Sequence, residues 1–148
     1  LLKLSKSVTK HFWVNINDPA VPVPGIIQFS NLRPVEDTVI YVPYYMPATH
    51  PKWGWNDAQF VTESMDVLRR LNPLLTEVDL KASTVGRLRH AQPVCEPGFA
   101  AKIPPTKSPI AGLWIADTCF YYPEDRGISE SVRLGAEMAA EIKDMRRS

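Results

Sequence analysis

The sequence predicts an α+β fold, with an antiparallel or mixed sheet in the first part of the chain and a strand followed by a helix at its end. Three observations favour this class: short strand-like segments joined by short links, one amphipathic stretch in the middle, and a helical stretch preceded by glycine near the C-terminus. The chain has 148 residues, of which 45% are hydrophobic and 22% charged, so it is long enough to bury one core.

The first part of the chain alternates between strand-like runs and turn residues. Alternation and β-branched content predict strands over residues 8–17, 26–30 and 38–42. Pro19 and Pro43 close the first and third runs, Pro22 and Pro24 keep the connection after the first run extended, and residues 31–37 after the second run predict a turn. Two shorter runs, 77–82 and 84–88, predict further strands, and the proline-rich stretch 89–108 predicts irregular structure.

The central helix is predicted from position 56 or 57 to position 71. Asn56 and Asp57 are both good N-cap residues. Apolar or small residues recur after them at three- and four-residue spacing, which gives one apolar stripe; its members are Phe60, Val61, Ser64, Met65, Leu68 and Leu71.

The end of the chain predicts a strand over 113–116, a loop, and a helix from Ile128 to about Met145. One face of this helix combines apolar and small residues, namely Ile128, Val132, Gly135, Ala139 and Ile142. Close packing against a sheet explains that face. A second interpretation is that the backbone N–H groups at Gly127 and Ile128 stabilise negative charge on a planar ring.

Charge and cysteine content restrict the classes of partner. The net charge of +1 gives no reason to expect nucleic acid, and no apolar run approaches the roughly 20 residues of a membrane span. Two scattered cysteines, Cys95 and Cys119, favour reduced thiols in the cytoplasm. Three distant histidines do not form a metal-site pattern, so no metal is expected.

The segment from Gly112 to Ile142 resembles the closing flavin-binding motif of the flavin-containing amine oxidase superfamily, which includes phytoene desaturase-like and protoporphyrinogen oxidase-like enzymes. The resemblance rests on Gly-Leu-Trp-Ile-Ala-Asp-Thr from position 112, Gly127, and Val-Arg-Leu-Gly from position 132. A second stretch, from Arg87 to Val94 followed by Gly98, is similar to the region just upstream of that motif.

The resemblance implies an FAD-dependent oxidoreductase that transfers a hydride from a carbon substrate, at an amine or a C–C or C–N bond, to flavin N5. Ala116, Asp117 and Thr118 would then lie along the ribityl chain, and Gly127 and Ile128 would offer N–H groups to the ring. Residues 1–108 would belong to a substrate-binding domain and residues 109–148 to the FAD-binding domain. The sequence singles out no catalytic residue.

The dinucleotide fingerprint Gly-x-Gly-x-x-Gly is absent from these 148 residues. We therefore expect the C-terminal fragment of a longer flavoprotein, which should be inactive by itself. Apolar surface exposed by such a truncation could support a homodimer.

The aromatic and proline-rich loop at 44–55 is the best candidate for contact with a small-molecule substrate. Tyr44, Tyr45 and His50 lie in it, and Arg89 could hold a substrate carboxylate. A hydrophobic core beneath a long loop explains the same rings. The alternative function is a non-enzymatic α+β binding module that uses this loop as its interaction surface.

Overall fold

The structure, a computed structural model, describes residues 1–125 and 127–145. It divides the chain into two compact units, Leu1–Arg87 and Leu88–Ser148. The boundary predicted after Ser108 falls inside the second unit. The assignment of these parts to substrate-binding and FAD-binding domains stays a prediction.

The first unit contains a five-stranded sheet and one α-helix. The strands are β1 (Leu2–Leu4), β2 (Trp13–Asn15), β3 (Gly25–Gln28), β4 (Thr38–Tyr41) and β5 (Leu80–Ser83), and the helix is α1 (Asp57–Leu71). The order across the sheet is β2-β3-β4-β1-β5, and every pairing is antiparallel. The predicted α+β class is therefore confirmed, with an antiparallel sheet.

Strand β1 lies near the centre of the sheet, although the sequence did not single it out. Leu2 faces Ile40 on one side and Ser83 on the other. Leu2 and Leu4 are buried while Lys3 is exposed, so the alternation is present but only three residues long. Such a short run does not stand out from its surroundings.

The strand predicted at 8–17 is limited to β2, Trp13–Asn15, and two further strand predictions need correction. The run at 77–82 begins as a 3₁₀ helix, Glu77–Asp79, and becomes β5 only from Leu80. Residues 84–88 are not a strand. Arg87 instead donates hydrogen bonds to the Asp57 carboxylate and the Trp55 carbonyl oxygen, both at 2.8 Å.

Helix α1 begins as the sequence predicts. The Asn56 side chain accepts a hydrogen bond from the Gln59 N–H, and the Gln59 side chain accepts one from the Asn56 N–H, both at 3.0 Å. This reciprocal capping box satisfies two N–H groups at the helix start. The apolar stripe buries Met65 and Leu68 against the inner face of the sheet, where Leu4, Ile26 and Ile40 are fully buried.

The second unit is built from short elements and one long helix. It contains the 3₁₀ helices Phe99–Lys102 and Thr118–Tyr121 and the α-helix α2 (Ile128–Met145). In the described parts of the chain, no helix combines the length and apolar character needed to cross a membrane.

The prediction of a strand at 113–116 is wrong, because this stretch does not form a regular strand. Within the described residues this stretch pairs through an isolated bridge between Trp114 and Lys107. Pro105 and Pro109 flank the partner segment and provide no N–H groups, so the ladder cannot extend in either direction. The turn that joins the two segments passes through Gly112, whose φ of 79° favours glycine.

Candidate functional site

The segment that resembles a flavin-binding motif folds into a 3₁₀ helix before α2. Asp117 caps that 3₁₀ helix, and its carboxylate accepts the Cys119 N–H at 2.8 Å. Hydrogen bonds from the Cys119 thiol and N–H lower the pKa of the Asp117 carboxyl. Asp117 is therefore an anion at neutral pH and can accept hydrogen bonds from hydroxyl groups.

Cys119 is a poor nucleophile in this position. Burial, followed by the neighbouring Asp117 carboxylate, raises the pKa of its thiol to about 11. The thiolate, which is the reactive form of cysteine, is therefore scarce at neutral pH. This argues against a redox role for Cys119.

The start of α2 is fixed to the 3₁₀ helix by a short hydrogen-bond chain. The buried Tyr121 hydroxyl lies 3.0 Å from the Ser131 Oγ. The Ser131 hydroxyl and N–H both donate to the Gly127 carbonyl, at 2.9 Å and 3.1 Å. Gly127 consequently occupies the N-cap position and Ile128 the first helical position.

The surface around this helix start is open. A Cβ atom added to Gly127 would meet no described atom within 4 Å, and the Ile128 side chain is 86% exposed. Asp117 is also exposed, whereas Ala116 and Thr118 are half-buried. All five residues predicted to bind the cofactor thus lie in the second unit, on the segment between the isolated bridge and the first turn of α2.

The predicted substrate-binding residues belong to both units. Tyr44, Tyr45 and His50 are in the first unit and Arg89, which is exposed, is in the second. His50 caps a 3₁₀ helix, Pro51–Gly54, because its Nδ1 accepts the Lys52 N–H at 3.1 Å. Tyr45 is 70% exposed.

Tyr44, the first residue of the aromatic loop at 44–55, packs against α1. Its ring meets Phe60 at 5.0 Å between centroids, and Trp55 meets Phe60 at 5.4 Å. The Tyr44 hydroxyl lies 3.2 Å from the Ser64 Oγ, and burial raises the pKa of Tyr44 to about 12. Tyr44 is therefore a neutral hydrogen-bonding group that ties the loop to α1.

An ion pair that the sequence did not predict lies beside the rings of Tyr44 and Trp55. Lys52 forms an ion pair with Glu63 of α1, and a shallow depression of about 430 Å³ opens next to them. The depression is lined by Trp55, Asn56, Ala58, Gln59, Thr62, Glu63 and Asp66. The only signal in the sequence is that Lys52 stands among aromatic residues, which does not indicate its partner.

Comparisons of the chain with protein-family models, with curated proteins and with solved structures find no match. Among the described residues, no group of three His, Cys, Asp or Glu side chains is arranged to hold a metal ion.

Proposed function

We propose that this chain is part of an FAD-dependent oxidoreductase of the flavin-containing amine oxidase type, which moves a hydride from a small-molecule carbon substrate to flavin N5. The observation that carries the proposal is the motif from Gly112 to Gly135, whose loop ends at an open helix start formed by Gly127 and Ile128. A helix start of this kind favours negative charge placed against it.

The residues present fit one end of FAD. The open space at Gly127 lets a flat ring approach the backbone, and the Asp117 carboxylate can accept a ribityl hydroxyl. The sequence contains no Gly-x-Gly-x-x-Gly loop for the pyrophosphate. We therefore propose that the phosphate-binding residues come from other polypeptide sequence, and we expect residues 1–148 by themselves to be inactive.

Bound FAD would supply hydride acceptance at N5, and the protein would supply orientation and electrostatics. The Ile128 N–H, supported by the α2 dipole, would stabilise negative charge on the pyrimidine side of the ring. Asp117 and the half-buried Ala116 and Thr118 would line the ribityl chain. The Tyr121–Ser131–Gly127 hydrogen bonds would hold the helix start in position.

Replacing Ile128 by Pro tests the role of this N–H. Proline is well tolerated at the first helical position, so α2 should be retained while the N–H is lost. We expect the flavin midpoint potential of the natural flavin-loaded polypeptide to fall by roughly 30–60 mV, which corresponds to a charge-assisted hydrogen bond of about 1.5–3 kcal/mol. Redox titration of the visible flavin spectrum measures the shift.

The matched control is Ile128→Ala, which removes the exposed side chain and keeps the N–H. Its midpoint potential should stay within a few mV of the natural protein. Equal potentials for the Pro and Ala variants would contradict the placement of the flavin at this helix start.

The proposed substrate contacts are Tyr44, Tyr45 and His50 in the first unit and Arg89 in the second. Tyr45 and Arg89 are exposed. Tyr44 and His50 have local partners, so they would shape the substrate wall rather than react. The exposed ring of Tyr45 also favours a second candidate function, a non-enzymatic binding module. Substrate-dependent flavin reduction separates the two, because a binding module would not reduce a flavin.

We also propose a cytoplasmic location, with Cys95 and Cys119 reduced. For residues 1–148 without the rest of the flavoprotein and without flavin, we propose a homodimer formed through the exposed apolar face of α2. Ile128 and Val132 on this face are 86% and 67% exposed. Exposed apolar helix faces of this kind favour association.

Val132→Glu is expected to weaken self-association of the chain at least tenfold, because a buried unpaired carboxylate costs more than about 1.4 kcal/mol. Sedimentation equilibrium measures the dissociation constant. The control is Ala140→Glu, because helical spacing places Ala140 off this face. A monomeric natural chain, or equal weakening by both variants, would contradict the proposed dimer.

A further inference from the structure

The Lys52 ammonium group is enclosed by two aromatic rings and a carboxylate. Its Nζ lies 2.5 Å and 2.6 Å from the two Glu63 oxygens. It also lies 4.7 Å from the centroid of the Trp55 ring and 5.7 Å from that of Tyr44. Only 18% of the Lys52 side chain is exposed. We call Tyr44, Trp55 and Glu63 the cation box.

The cation box is held in place by contacts that do not involve Lys52. Phe60 packs against both rings, and the Tyr44 hydroxyl is hydrogen-bonded to Ser64. Arg87 holds the Trp55 carbonyl oxygen and stacks on Phe60, 5.4 Å from its centroid. Because these contacts are independent of Lys52, the box should persist when the lysine side chain is removed.

The chemistry of the cation box selects one class of ligand. Ring faces attract cations, and the attraction grows when the cation is desolvated. A carboxylate that binds through both oxygens adds charge-assisted hydrogen bonds, which a neutral group of the same shape cannot match. The depression lined by Trp55 and Glu63 gives solvent access to the same groups.

We propose that the cation box is a binding site for a primary alkylammonium group and that Lys52 is its internal occupant. A tethered ligand competes at an effective concentration in the millimolar range or above. An external ammonium compound therefore binds when Lys52 is displaced or removed. The site lies wholly in the first unit, so this inference does not rest on the proposed flavin.

Chemical rescue of Lys52→Ala tests the site. The substitution deletes the atoms of a propylammonium ion, so propylammonium chloride is the probe. The Tm of the variant should fall, and propylammonium at about tenfold above its dissociation constant should raise it by roughly 5–10 °C. The Tm of the natural chain should not respond.

Three controls isolate the cation box. Lys81→Ala removes a lysine that pairs with Asp37 rather than with Glu63, so propylammonium should not rescue it. Propan-1-ol, the neutral analogue, should not rescue Lys52→Ala. Adding Glu63→Gln to Lys52→Ala should abolish the rescue.

If Lys52→Ala does not fold, a binding measurement on a second Lys52 variant tests the same site. Lys52→Val keeps part of the apolar stem, frees the space of the Lys52 Cδ, Cε and Nζ atoms, and leaves Glu63 without its ammonium partner. Ethylammonium, which matches those atoms, should then shift the NMR signal of the Trp55 indole N–H in a saturable manner, and ethanol should not. The proposal is overturned if this signal does not move, or if Lys52→Ala and Lys81→Ala respond equally to propylammonium.

Discussion

Gln28→Ala is expected to lower the free energy of unfolding of the first unit by roughly 3–5 kcal/mol. Gln28 is buried at 1% exposure, and its side chain organises the chain between β1 and β2. Its Oε1 accepts the N–H groups of Val8 and Thr9, at 3.0 Å and 3.1 Å. Its Nε2 donates to the Ser7 Oγ at 2.8 Å and to the Asn31 Oδ1 at 2.9 Å.

The large effect follows from the groups that Ala would leave behind. Two backbone N–H groups would lose their acceptor, and each unsatisfied buried group costs about 1–3 kcal/mol. Amide hydrogen exchange at Ile26 and Ile40, recorded at increasing urea concentrations, measures the change in the free energy of unfolding of the first unit. The control is Gln92→Ala, which removes an exposed side chain and should leave this stability unchanged. If Gln28→Ala unfolds at the same urea concentration as the natural chain, the hydrogen bonds of the Gln28 side chain do not have the stabilising role assigned to them.

The second large effect is expected at Gly25, where β3 pairs with β2. A Cβ atom at this position would lie 2.4 Å from the Val14 carbonyl oxygen and 3.4 Å from the Asn15 Cα. Both neighbours are backbone, so relief requires the strands to separate rather than a side chain to rotate. Gly25→Ala should therefore cost about 3 kcal/mol, the upper end for overpacking, and reduce exchange protection along the β2–β3 ladder.

Gly54→Ala provides the matched control. Nothing lies within 4 Å of the corresponding Cβ position, and Gly54 is not among the glycines with positive φ. Its effect on urea unfolding should stay within about 0.5 kcal/mol. Equal effects of the two substitutions would show that the close approach at Gly25 does not limit stability.

The sequence predicted those elements whose stabilising residues lie within one continuous segment. Helix α1 carries its cap and its apolar stripe within one segment, so both were found. Strand β1 depends on Ile40 and Ser83, which are distant in the sequence, and its three residues carry too little pattern to be recognised. The segment at 113–116 has the composition of a strand, but only one residue pair forms a bridge there.

Among the candidate site residues, the sequence indicated those that lie along one segment and did not indicate those that folding brings together. The motif residues Asp117, Gly127 and Ile128 could be listed from the sequence because they are spaced along one segment. The pairing of Lys52 with Glu63 could not, because it depends on the path of a proline-rich loop over α1. The half-buried position of Tyr44 depends on the same packing of the loop on α1.

Binding of FAD is tested by identifying the small molecule that is released when the natural polypeptide containing residues 1–148 is denatured. We expect the native protein to have visible flavin absorption and to release FAD in a near-stoichiometric amount. A colourless protein that releases no flavin, and whose absorption spectrum is unchanged after incubation with excess FAD, would contradict the proposed binding of FAD.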